Sequence, residues 1–193
     1  MTTSREVSLG WVLALSICAV CATAGRASAK PVTVACAKLA AVTFDDARWT
    51  RKQAEQEGSM CDLALDPTPA DGTGLTLWGI ELAGKDKDRV AKDTPAGLLQ
   101  HMINMLSKGN QGFKVTSVTA HGPYHFAAGR HVGPNDKTYD THIAVHRNDR
   151  GMYFVVWEFE PTRAPPKTTY DAAAAKARFL AWLDAVQPAK ATP

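Results

Sequence analysis

Residues 152–159, Met-Tyr-Phe-Val-Val-Trp-Glu-Phe, constrain the fold more than any other stretch of the chain. Met152, Phe154 and Val156 alternate with Tyr153, Val155, Trp157 and Phe159, so a strand here carries apolar side chains on both faces. A strand of that kind sits in the middle of a sheet and needs cover above and below. The rest of the chain must therefore supply neighbouring strands and at least two covering layers.

Two stretches read as helices. Residues 95–107 follow Thr94, a good N-cap, begin at Pro95, and place Leu99, Met102, Ile103 and Leu106 on one stripe before Gly109. The second begins after Thr168 or Thr169, runs through Ala172 and Ala175, and puts Phe179, Trp182, Leu183 and Val186 on one face before Pro188. Between them, residues 113–119, 126–132, 139–146 and 152–159 alternate as antiparallel strands, with turn chemistry at 133–136 and 148–151. Upstream, 49–53, 61–65 and 75–82 read as further strands, while 35–41 suits a short helix or a strand. The expected fold class is α+β, a mainly antiparallel sheet with helices on both faces.

Pattern also suggests a register. A hairpin with Gly133 opposite Lys137's successor, Thr138, sets Phe126 against Val145, Ala128 against Ile143 and Val132 against Tyr139. The other side then collects His125 opposite His146, His142 opposite Gly129, and His131 opposite Asp140. A slip of one residue would bury those histidines instead.

Residues 1–29 read as a secretory signal peptide. Arg5 gives the positive n-region, 9–20 is an apolar run too short to span a bilayer, and Ala27-Ser28-Ala29 is the cleavage signal. The mature chain, 30–193, is expected to be one domain with a frayed tail from Ala189, located in the periplasm or secreted. Cys18 and Cys21 leave with the leader, and neither Ile17 nor Val20 is the small residue that lipid attachment expects before a cysteine. Cys36 and Cys61 remain and are expected to pair as a disulfide.

Composition narrows the function. The chain has 22 basic and 19 acidic residues, and loss of Arg5, Arg26 and Glu6 leaves the mature part at +2. Basic residues alternate with acids at Lys85, Asp86, Lys87 and Asp88, so no basic block exists to track nucleic acid. Ser59, Ser107 and Ser117, the mature serines, lie in no G-x-S-x-G elbow, and no glycine loop suited to phosphate is present. The acids Asp45, Asp46, Glu55, Glu57, Asp140, Glu158 and Glu160 offer pairs for glycosidase chemistry, as solvated acids do in most domains.

Two local features point to binding. His125, His142 and His146 are candidate ligands for a metal ion, because imidazole suits Zn²⁺ and Cu²⁺. Tyr153 and Trp157 with His142 are a candidate recognition patch. No other cofactor is indicated.

The order of elements, early strands from Arg48-Trp49-Thr50, a Thr-Pro-capped helix, a four-strand meander ending in 153–157, and a last helix with Phe179-Leu180-Ala181-Trp182-Leu183, resembles the PsbP-like superfamily over about residues 45–187. That resemblance implies an exported α/β/α sandwich that docks onto other proteins and carries no fixed active site. The expected function is non-enzymatic protein binding, with an immunity or inhibitor protein against a periplasm-acting toxin, or a histidine-based metal-binding protein, as the alternatives.

Overall fold

A computed structural model describes residues 30–188; residues 1–29, expected to be a signal peptide, and the tail beyond Pro188 lie outside the described residues. In chain order the elements are β1 (Pro31–Cys36), β2 (Ala40–Asp45), β3 (Trp49–Glu57), β4 (Met60–Pro67), β5 (Thr73–Glu81), α1 (Gly84–Lys92), α2 (Pro95–Leu106), β6 (Thr119–His121), β7 (Tyr124–Val132), β8 (Thr138–Arg147), β9 (Gly151–Phe159), α3 (Ala172–Ala185) and β10 (Val186–Pro188). Seven strands form one antiparallel sheet in the order β3-β4-β5-β9-β8-β7-β6, and three form a second sheet in the order β1-β2-β10.

The two-faced strand does sit inside the large sheet. β9 lies between β5 and β8, with Val155 opposite Leu77 on one side and Ala144 on the other. Phe154 and Val156 face α1 and α2, where Val90, Leu98, Leu99, Met102 and Ile103 close a core with Ile143 and Val145. Tyr153, Val155, Trp157 and Phe159 face the opposite way, onto Phe179, Trp182 and Leu183 of α3 and Val42 and Phe44 of β2.

That second layer corrects the expected α/β/α sandwich. Strand makes up 45% of the described residues and helix 24%, and the face opposite α1 and α2 is covered by a small sheet as much as by α3. The fold is β-rich, two sheets with three short helices. The β1–β2 hairpin escapes a sequence reading because its turn passes through Ala37 at φ +49, where a glycine or asparagine would ordinarily mark a left-handed residue. β10 completes the sheet by pairing with β2 from the far end of the chain, Val186 opposite Val42.

The disulfide Cys36–Cys61 ties the end of β1 to β4, with Cα atoms 5.3 Å apart. Gly79 lies opposite Cys61 in the ladder, and a Cβ there would stand 3.1 Å from Cys36 Sγ, so the bridge between layers occupies space that a side chain would take. It is compatible with an exported protein. Among the described residues no helix is long and apolar enough to cross a membrane.

Helix α2 matches its expected span, and Thr94 Oγ1 accepts from Gly97 N at 3.1 Å. α3 starts at Ala172, later than the expected start after Thr168 or Thr169, capped by Asp171, whose Oδ1 accepts from Ala173 N and Ala174 N. α1 was not expected at all, since Val90 is its single buried residue and leaves no stripe to read. Of the strand expected over 113–119, only its last residue enters β6. Residues before it run alongside β7 without joining it: the Gln100 side chain takes the ladder's place, donating to Phe113 O and accepting from Val115 N. The Phe113 ring lies on Gly129, where any Cβ would collide with it.

The β7–β8 register is one residue away from the expected one: His125 faces Val145, Ala128 faces His142, and Val132 faces Thr138. The turn explains the shift. Asp136 N donates to Gly133 O, Asp136 takes φ +62, and Gly133 N then donates to Lys137 O, so the loop is the three residues 134–136, one shorter than the expected 134–137.

At the outer edge of the large sheet, β3 exposes Arg51, Lys52 and Glu55 in a row of polar side chains, and its pairing with β4 steps in register between Arg51 and Gln53.

Candidate functional site

The shifted register decides the fate of the histidines. His131 and His142 are buried, at 2% and 3% exposure. His125 is exposed and borders Pro95 and Leu98 on the α2 face. His142 and His146 lie on the opposite face, His142 against Trp157 and Phe179, His146 against Tyr124 and Tyr153. The proposed metal trio therefore straddles the sheet, and among the described residues no group of three His, Cys, Asp or Glu is placed to hold a metal ion. His146 Nδ1 donates to Pro123 O, and His121 contacts Asp184. Asp140 faces Arg130, not His131, in a bidentate pair at 2.9 and 3.0 Å.

The expected recognition patch is also internal. Tyr153 is 0% exposed and Trp157 2%, because α3 lays Phe179 and Leu183 over that end of the sheet. The Tyr124 hydroxyl donates to Val186 O at 2.6 Å, so Tyr153 donates to Tyr124 at 3.0 Å; both phenols are pushed up by burial, Tyr124 to about 12.

On the other face, His131 joins Thr141 and Glu158. Thr141 Oγ1 lies 3.1 Å from His131 Nδ1, and His131 Nε2 lies 3.4 Å from Glu158 Oε1. The order of groups is that of a nucleophile, a base and its orienting acid. Thr141 is 0% exposed, which shuts its hydroxyl off from solvent. Burial, then the neighbouring Glu160, pushes the Glu158 carboxyl up to about 7, against the opposing effect of Arg163. Glu160 moves the other way: burial opposes its charge, but hydrogen bonds from Lys137 and Thr162 outweigh that and hold it below the ordinary carboxylate range.

Sequence reasoning missed a concavity along α3. A groove of about 680 Å³ opens between α3, the end of β2, the start of β3 and the segment after β4. Trp157 forms part of its floor, and Trp49 stands edge-on to Trp182 at 4.8 Å and 85°. A smaller cavity of about 140 Å³ near Tyr170 shares Asp71, Thr73, Trp157 and Arg178 with it and prolongs it toward the start of α3. Lining residues on α3 extend from Ala174 to Ala185, a span of about 16 Å at 1.5 Å per residue.

Charge in the groove is paired internally. Arg178 NH1 lies 2.9 Å from Asp71 Oδ2, and Arg48 Nε lies 3.6 Å from Asp45 Oδ2. Burial opposes the Asp71 charge, but hydrogen bonds from Thr73 N and Oγ1 and the Arg178 guanidinium more than compensate and hold its carboxyl low. What the groove offers is aromatic and proline surface, from Trp49, Trp182, Pro67 and Pro69, with fixed hydrogen-bonding groups at its centre. Trp49 and Trp182 each carried a local signal, but nothing in a linear pattern brings the start of β3 to the end of α3.

No protein-family model matches the chain, and no curated protein matches it.

Proposed function

We propose that the protein is a non-enzymatic binding protein of the periplasm that takes a short extended segment of another protein into the groove along α3. The observation that carries this reading is the groove's form: a tryptophan-walled trough of about 680 Å³ whose charged residues already neutralise one another. A span of about 16 Å matches roughly five residues of extended chain at 3.3 Å each. Because Arg48 and Arg178 are occupied by Asp45 and Asp71, the segment that fits is uncharged, with an apolar or aromatic side chain for the Trp49–Trp182 corner. The leader-like residues 1–29 and the Cys36–Cys61 bridge support the compartment. The order of elements that resembles the PsbP-like superfamily, whose members dock onto other proteins, points the same way.

Site-specific photo-crosslinking in intact cells tests it. A crosslinker replacing Arg48, at the groove rim, should give one discrete protein adduct; the same group replacing Met105, exposed on α2, should not. Ala181→Arg, which fills the trough from an exposed position of α3, should abolish the Arg48 adduct while leaving the circular dichroism unchanged. Adducts equal at both positions, or untouched by Ala181→Arg, refute the groove as the docking site.

A further inference from the structure

A second cavity lies on the other side of α3, independent of the groove. It measures about 210 Å³ and is bounded by β7, residues 113–117 and Lys176. The edge of β7 is open there. Val132 exchanges backbone hydrogen bonds outward with Lys108 and Gln111, so the even-numbered residues of β7 point their N–H and C=O groups to this edge. Ala128, two residues before Arg130, therefore presents its N–H at the cavity, and neither residue has a backbone partner on that side among the described residues.

Two side chains face the same space. Lys176 Nζ lies 5.7 Å from the centre of the Phe126 ring, and no carboxylate approaches it within 4.0 Å among the described residues. His142 borders the cavity although only 3% exposed, and its Nδ1 is sealed without a hydrogen-bond partner among the described residues. With Nδ1 sealed, Nε2 is the ring nitrogen left to meet a ligand. Burial, reinforced by the Lys176 charge, keeps the imidazole below its usual range and thus neutral at pH 7, with Asp140 opposing weakly.

We propose that this cavity binds a small organic carboxylate. Lys176 is joined by Lys114, which also lines the cavity with no carboxylate within 4.0 Å among the described residues, and the remaining groups are donors: the His142 ring, the Ala128 N–H and the Ser117 hydroxyl. The rings of Phe113 and Phe126 and the side chain of Val115 supply an apolar wall for a short hydrocarbon part.

The test is an amide-resonance titration of the full chain, expressed with its leader and recovered after export, using sodium butyrate, butyramide and inorganic phosphate as probes. Butyrate should give saturable shifts at Ala128, Ser117 and Lys176 with a Kd in the millimolar range, and Lys176→Gln, at an exposed helix position, should weaken it about tenfold. His142→Phe, which keeps the ring and removes the donor, should weaken it as well. Butyramide binding as strongly as butyrate, phosphate binding more tightly, or butyrate binding unchanged in Lys176→Gln overturns the proposal.

Discussion

Glu158 is placed where three neighbours make opposing demands on its charge. It is half-buried at the end of β9, with Glu160 beside it, Arg163 opposing, and His131 Nε2 at 3.4 Å. A carboxyl whose pKa rises from 4.5 to about 7 on folding keeps its proton in the native state after the unfolded chain has released its own. Native stability therefore falls as pH climbs from about 4.5 to about 7, by up to roughly 2–3 kcal/mol, and is level above that. His131 and His142, both held low by burial, act in the reverse sense, costing stability as pH drops through 6.5. A Glu158→Gln variant isolates the carboxyl because the histidines are common to both proteins. Its stability relative to wild type, measured by urea denaturation, should be near zero at pH 5 and favour the variant by about 2 kcal/mol at pH 8. A difference that does not change with pH would show that Glu158 titrates normally. The same crowding of charge was partly visible in the sequence, which offers Glu158 and Glu160 as a pair; which one keeps its proton depends on Lys137, reached through a turn.

At the scale of elements, what could be read in advance tracks how local each determinant is. Thr94 and Pro95 start α2 through their own neighbours, and β9 declares itself because both of its faces are apolar. Asp171 caps α3 in the same local way, although Thr168 and Thr169 offer earlier caps that the helix does not use. Asp171→Ala should cost about 1 kcal/mol in thermal or urea unfolding, and an unchanged midpoint would mean that packing of Phe179 and Trp182 alone sets the helix start. The misses have non-local causes. Asp136 in a left-handed conformation shifts the β7–β8 ladder by one residue and sends His131 and His142 inside. Gln100, on α2, holds residues 113 and 115 away from regular pairing. The groove needed the start of β3, the end of β2 and α3 together, and no segment by itself carries that information.

For the whole molecule, the decisive join is between the two sheets. β1 and β2 meet the large sheet through Val42, Phe44 and Leu39, and β10 ties the C-terminal end of α3 to the same small sheet. Cys36–Cys61 crosses this junction with a sequence separation of 25 residues, which in the chain-entropy account corresponds to about 3.5 kcal/mol. Replacing both cysteines by alanine should lower the unfolding free energy by about that amount and leave the native amide chemical shifts of α2 and its core unaltered, since their contacts lie on the opposite face. A loss below about 1 kcal/mol would mean that packing alone holds the layers together. The other flank of the large sheet has a different duty. Because the β3 ladder is broken at Arg51 and edged with charge, an incoming strand finds no continuous template to copy, so molecules crowded together have little means of growing into fibres from that side.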